Sequence, residues 1–229
     1  MRRTLLFILL LFAGISRLAA AEIGVTDQSV SIGMTAPFSG PNGVYGQDMR
    51  TVILAYFRQI NESGGIFGRR LELTALDDGY ETERAVSNTR QLIAEKRVFA
   101  MLASYGSSPT TSAMNEVFGV ARVPLIGTIS GADTLRQSPR EHPNNRYMFN
   151  VRASYADETE AIVNQLVSLG FNKIAVFYQN DGFGKSGLDG VVAALKRHNL
   201  APSAVASVER NSVDIAAAAQ ALAKDKPQA

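Results

Sequence analysis

Residues 29–36, Ser-Val-Ser-Ile-Gly-Met-Thr-Ala, alternate between polar and apolar positions, and a period of two predicts a strand. Pro37 to Gly46 then carries two prolines and three glycines, which predicts a loop with Tyr45 just ahead of a helix. Val52, Ile53, Tyr56, Phe57 and Ile60 recur at helical spacing until Gly64-Gly65 stops the pattern. Arg69 to Leu76 alternates again as a strand and ends at Asp77-Asp78-Gly79. Ala85, Thr89, Leu92 and Ile93 stripe the next helix. The apolar run Val98–Ala103 has strand length and breaks into SYGSSPTT, residues 104–111. Met114, Val117, Phe118 and Ala121 return to helical spacing, and Val123–Ile126 predicts a strand that ends in GTISGAD, residues 127–133. Ser138 to Arg146 is polar, carries two prolines and has no period.

After that break the alternation resumes. Tyr147–Val151 reads as a short strand, and Ser154-x-x-Asp157 opens a helix in the manner of a capping box. Ile162, Val163, Leu166 and Leu169 give that helix its apolar face. Lys173–Tyr178 predicts a strand, the Leu188, Val191, Val192 and Leu195 stripe a helix, Ala204–Val208 a weaker strand, and Val213–Ala223 an Ala-rich helix. Strands alternating with helices predict an α/β fold with parallel sheets flanked by helices. The turns at 104–111 and 127–133 both follow strand C-terminal ends, where open α/β sheets bind ligands. Their hydroxyls and helix-opening N–H groups suit a carboxylate or phosphate, although every βαβ unit needs turns of this kind.

Charge adds little until the N-terminus is set apart. The 229 residues carry a formal net charge of +2, but residues 1–21 hold Arg2, Arg3 and Arg17 and no acid. Without them 20 basic residues face 21 acidic ones, a balance that gives no footprint for nucleic acid or a membrane surface. Arg2-Arg3, the apolar run Thr4–Ile15 and the small residues Ala19-Ala20-Ala21 have the build of a signal peptide cleaved near Ala21. The expected product is exported, with no stable membrane insertion once the leader is gone. There is no cysteine, so no disulfide framework and no lipid-attachment thiol.

Candidate chemistry is sparse. Gly182-Phe183-Gly184-Lys185-Ser186-Gly187 matches the dinucleotide pattern G-x-G-x-x-G, with Glu209 beyond a later strand. Asn180-Asp181 separates the preceding strand from those glycines, and Asp181 would repel a pyrophosphate. An exported α/β enzyme using a nucleotide at Gly182–Gly187 is nevertheless one alternative, and a ligand-sensing domain another. Asp77-Asp78 lacks further metal-ligand spacing and suits a capping role. His142 and His198 sit apart, and no G-x-S-x-G elbow occurs, so no catalytic residue, cofactor or metal site is expected.

Several separate stretches, SIGMTAPFSGPNGVYGQD, INESGGIFGRRLELTALDDG, the Ser-rich turn and VPLIGTISGADTL, stand in one order between Val30 and Gly190. In that order the chain resembles the type I periplasmic solute-binding proteins of ABC importers, in the branch that binds leucine, isoleucine and valine. The resemblance implies two α/β lobes closing on a small ligand, no enzymatic activity, and a membrane permease as partner. It implies a leader over 1–21, a first lobe over 22–145 and part of a second over 146–229, with that second lobe incomplete. It also implies ligand-binding residues. Ser107 and Ser108 would hold a carboxylate, with Tyr105 in the same turn. Ile129, Ser130 and Gly131 would form a second ligand-facing turn. Tyr45 and Phe183 would face each other as aromatic walls. The ligand implied is a small carboxylate-bearing solute, a branched-chain or other amino acid or an analogue; Phe183 and Gly131 lack hydroxyls that some relatives carry.

Overall fold

A computed structural model describes residues 22–229; the leader expected at 1–21 lies outside the described residues. Five strands, β1 (Ser29–Ala36), β2 (Arg70–Asp77), β3 (Ala100–Leu102), β4 (Leu125–Ile126) and β5 (Met148–Phe149), form one sheet in the order β2-β1-β3-β4-β5. Every pairing is parallel. β1 runs against β2 along its whole length, from Ser29 opposite Arg70 to Ala36 opposite Asp77. On its other side it touches β3 only at Ile32 and Gly33. The strand order reverses between β1 and β3, and such a reversal leaves a crevice at the strands' C-terminal ends. β6 (Val176–Gln179) and β7 (Val205–Val208) make a second, two-stranded parallel sheet. The backbone of Gln228 and Ala229 hydrogen bonds with Lys173 and Ala175 beside it.

The alternating β1 stretch is a strand over the full length its pattern predicts. The apolar run at 98–103 yields a shorter strand, Ala100–Leu102, with buried Val98 before it and Ala103 after it at φ 53°. Met148 and Phe149 pair with Leu125 and Ile126, so hydrogen bonding ties them to the first sheet, past the expected boundary at residue 145.

The helices are α1 (Gly43–Glu62), α2 (Thr82–Ala94), α3 (Ser107–Ala113), α4 (Gly119–Ala121), α5 (Tyr155–Ser168), α6 (Gly182–Arg197) and α7 (Ala216–Asp225). Between α3 and α4 the chain takes one π turn, Met114–Phe118, which the helical spacing does not reveal. α1 begins at Gly43, inside the stretch expected to be loop. Gly43 lies against the backbone of Phe38, and a side chain at Gly46 would enter the Pro37 carbonyl, so the helix starts tight against the loop. Tyr45 therefore sits inside the first turn rather than ahead of it. Ser154 caps α5 as predicted: its Oγ accepts the Asp157 N–H at 3.0 Å and donates to the Asp157 carboxylate at 2.6 Å.

One face of the main sheet buries Leu92, Val98, Met101, Phe118, Leu125 and Leu135 beneath α2 and α3. Full burial of a side chain such as Phe118 contributes about 1.5–3 kcal/mol. The other face holds Met34, Ala36 and Ala103 with Phe38 and Ile53. The stripe on α1 is only half used: Phe57 is buried, whereas Val52 and Tyr56 are 68 % and 61 % exposed. A smaller core of Val163, Ile174, Ala194 and Leu195 joins α5 and α6 to the second sheet.

Candidate functional site

Six strand ends converge on one cleft of about 190 Å³. The segment after β1 supplies Asn42, and that after β2 supplies Tyr80. Tyr105, Gly106 and Ser107 follow β3, Ile129 follows β4, Arg152 and Tyr155 follow β5, and Gln179 and Phe183 belong to the end of β6 and the start of α6. Each element contributes at its C-terminal end, as the strand reversal requires.

The wall at Tyr80 rests on two aspartates. Asp77 accepts the N–H groups of Phe38 and Gly79 and the Ser39 hydroxyl, so it ties two loops together. Burial opposes its charge, but those bonds and Arg84 outweigh burial and hold the carboxyl at about 2. Asp78 is fully buried, accepts the Thr35 hydroxyl at 2.8 Å, and accepts the Tyr80 N–H at 2.8 Å. That last bond holds Tyr80 at φ 65°, a left-handed conformation uncommon for a bulky residue. Neither aspartate caps α2, whose N-cap is Glu81. The expected capping role is replaced by loop bracing, because the helix starts later in the chain than the carboxylates can serve.

Burial pushes the Asp78 carboxyl up to about 6, against the two hydrogen bonds that lower it. A raised carboxyl favours folding in its protonated form. Stability from this group is therefore greatest below the unfolded value near 3.8 and falls as pH rises through about 6. Two units correspond to about 3 kcal/mol at most. Asp78→Asn should remove this fall, so that thermal melts at pH 5 and pH 7.5 show a smaller difference than in the unsubstituted chain. Asp77 does not confuse the window, since its contribution is lost only between about 3.8 and 2.

The serine turn is built differently from a simple row of donors. Ser107 is 1 % exposed, and its Oγ hydrogen bonds the equally buried Ser130 Oγ at 2.8 Å. Ser130 Oγ also accepts the Ala132 N–H. Ser108 faces the second sheet, where its Oγ accepts the Gly182 N–H at 2.9 Å. The Ile129 carbonyl accepts the Gly106 N–H at 3.2 Å, and the Ile129 N–H donates to the Ser104 carbonyl. Gly131 lies behind the cleft: a Cβ there would come within 2.7 Å of the Tyr155 ring and 2.8 Å of the Ala153 carbonyl. The hydroxyl missing at Gly131 is thus replaced by an aromatic ring.

Four rings edge the cleft. Tyr80 meets Tyr105 edge-on at 5.3 Å, and Tyr155 meets Phe183 edge-on at 5.3 Å. Tyr45 stacks on Tyr105 at 6.0 Å and remains 56 % exposed. Tyr45 and Phe183 therefore do not form the facing pair expected from the sequence; because Tyr45 lies in the first turn of α1, it backs Tyr105. The Arg152 guanidinium lies 5.3 Å from the Tyr155 ring and forms two 2.9 Å hydrogen bonds with Glu158.

Polar bonds join the two sheets around this cleft. The Gln179 amide donates to the Tyr80 hydroxyl at 3.1 Å. Asn211 donates to the Gly79 carbonyl and the Glu81 carboxylate and accepts from Asn42. Arg210 donates to the Thr82 hydroxyl at 2.7 Å and covers the Tyr80 ring at 5.5 Å. Burial and the nearby Asp181 carboxylate both push the Tyr80 hydroxyl well above its ordinary range, so it stays protonated.

Gly182 and Gly184 serve packing, whereas a Cβ at Gly187 would meet nothing within 4 Å. Asp181 accepts the N–H groups of Phe183 and Gly184, which occupies the amides a pyrophosphate would use. A side chain at Gly184 would enter the Gln179 carbonyl. His198 ends α6, where its ring bonds Asn164 at 2.7 Å. No cluster of three metal-ligating side chains occurs among the described residues.

Of the eight residues expected from the sequence, Tyr105, Ser107, Ile129 and Phe183 line the cleft. Ser130 and Gly131 stand behind it, Ser108 bridges the sheets, and Tyr45 lies outside. Asn42, Tyr80, Gly106, Arg152, Tyr155 and Gln179 line the cleft as well, without a local motif that marks them. Their shared signal is position, within a few residues of a strand's end.

Parallel α/β units whose strand ends meet at a shared cleft define the architecture of type I periplasmic binding proteins. The profile of the periplasmic binding protein family matches residues 29–229, and the chain belongs to that family. A Leu/Ile/Val-binding protein homologue of Brucella abortus is 28 % identical over 208 residues, covering 86 % of this chain and 50 % of its own length. A substrate-binding periplasmic protein of Ralstonia solanacearum superposes with a TM-score of 0.79 at 33 % identity, over 85 % of this chain and 53 % of that one. A possible leucine/isoleucine/valine-binding protein of Rhodopirellula baltica gives 0.77 at 30 % identity, over 91 % and 53 %. The chain spans about half the length of the curated relatives it matches most extensively. Among the described residues no helix is long and apolar enough to cross a membrane.

Proposed function

We propose that this chain is the solute-recognising part of a periplasmic receptor, exported by its leader, that delivers a small carboxylate-bearing solute of amino-acid size to the permease of an ABC importer. The first lobe is the five-stranded sheet with its helices, and the second begins with α5. The observation that carries the reading is the convergence of six strand ends from two sheets on one cleft. Such a site holds a ligand between two bodies, and its polar bridges strengthen when the bodies close. The reading requires binding without conversion. Calorimetry with a panel of amino acids and small carboxylic acids, followed by mass analysis of the recovered ligand, tests it. Saturable binding with the ligand returned intact is the expected result; turnover of a bound compound would make the chain an enzyme.

Ser107→Ala should weaken binding of the carboxylate ligand. A hydroxyl hydrogen bond to a charged group contributes about 1.5–3 kcal/mol, roughly 10- to 150-fold in affinity. The backbone of the same turn survives the substitution, so binding falls without vanishing. Titration of the variant with the ligand found above gives the number, and an unchanged affinity removes Ser107 from the contact set.

A further inference from the structure

Resting on the receptor reading, we propose that the cleft selects a planar aromatic monocarboxylate, and that a zwitterionic amino acid is a poor ligand. Three observations converge on this class. The first is shape. A cleft of about 190 Å³ is little larger than the roughly 150 Å³ cavity that accommodates one benzene ring. A six-membered ring with a short substituent has room there.

The second is the lining. Two edge-on ring pairs, Tyr80 with Tyr105 and Tyr155 with Phe183, come from different sheets. Edge-on and offset contacts are the arrangements aromatic rings favour, and they reward a flat ligand ring more than a branched alkyl group. The Gly131 position strengthens this choice, since the space a side chain would take there is filled by Tyr155.

The third is charge. The cationic side chain lining the cleft is Arg152, and among the described lining residues none is acidic. Arg152 uses Nε and one Nη on Glu158, which leaves its other Nη outside that fork. An ammonium needs acceptors. Acceptors around the cleft are neutral or already hold donors: the Ile129 carbonyl takes Gly106, Ser130 Oγ takes Ala132, the Asp181 carboxylate takes α6 and Gln179, and the Gln179 amide oxygen carries no charge. A buried ammonium faced by neutral acceptors alone is penalised, whereas a carboxylate meets the cationic Arg152.

The experiment titrates the full chain with benzoate, benzamide, cyclohexanecarboxylate, phenylalanine and leucine. Benzoate should bind at least 10-fold more tightly than each of the others. Benzamide tests the charge, cyclohexanecarboxylate the flat ring, and the two amino acids the ammonium. Arg152→Gln should bring benzoate down toward benzamide while leaving benzamide unchanged, and Arg152→Lys should restore part of the difference. Phe183→Leu should weaken benzoate more than cyclohexanecarboxylate. Leucine or phenylalanine binding as tightly as benzoate overturns the aromatic-acid assignment and leaves the receptor reading standing. Binding of none of the five by a chain that melts cooperatively overturns the assignment and removes the support for a small-acid receptor as well.

Discussion

Gly106→Ala should abolish ligand binding and lower the melting temperature by several degrees or more. Gly106 stands at φ 90°, ψ 148°, a conformation that side-chain-bearing residues scarcely enter. The new methyl would also drive into the edge of the Tyr80 ring. That ring cannot yield easily. Asp78 holds its backbone, Gln179 holds its hydroxyl, Arg210 covers its face and Tyr105 abuts its edge. Backbone strain of about 1–3 kcal/mol adds to overpacking of about 1–3 kcal/mol, a sum comparable to much of a domain's stability. Differential scanning calorimetry and ligand titration check both halves. Pro109→Ala, two residues inside α3, provides a control in which the turn keeps its glycine. A Gly106→Ala protein that melts normally and binds normally would show that Tyr80 is not held as described.

The second large effect is expected from the corner that follows β7. Arg210→Ala combined with Asn211→Gly removes the bonds to Gly79, Glu81, Thr82 and Asn42 and the cover over Tyr80. Asn211 stands at φ 60°, so glycine removes the side chain without adding backbone strain. Several net hydrogen bonds at about 0.5–1.5 kcal/mol each and one ring contact sum to about 3–4 kcal/mol. If closure of the two sheets is coupled to binding, that is a loss of roughly 100- to 1000-fold in apparent affinity. The double variant should lose affinity and show a larger radius of gyration in small-angle scattering with ligand present. Unchanged scattering and affinity would make the corner a passive surface contact.

The path from sequence to this site was direct in some places and closed in others. β1 was legible because its polar–apolar alternation has the period of a strand, although burial runs along it, half-buried over its first four residues and buried over its last four. The turn at Ser107 was legible because a strand and a helix bracket it. The π turn at Met114–Phe118 was not, since one extra residue in a turn leaves the apolar spacing nearly intact. Tyr45 was misplaced because glycines at 43 and 46 read as loop, whereas here they let a helix begin close to the chain before it. Tyr155 had a sufficient local explanation as the first residue after a cap, and nothing nearby in sequence announces that it meets Phe183. Arg152 and Gln179 are silent for the same reason. Their role comes from the order of strands in a sheet, which periodicity does not encode.

The fit of Tyr155 over Gly131 restricts how this cleft can change its ligand over generations. Any side chain at position 131 collides with the ring, and a smaller residue at 155 leaves a hollow with nothing to fill it. Two positions 24 residues apart are therefore exchanged together or not at all. A lineage moving from a ring-lined cleft toward one with a hydroxyl at 131 must pass through a poorly packed intermediate, so single-residue changes of ligand should fall instead on Phe183 and Arg152, which line the cleft without filling the space of a second residue.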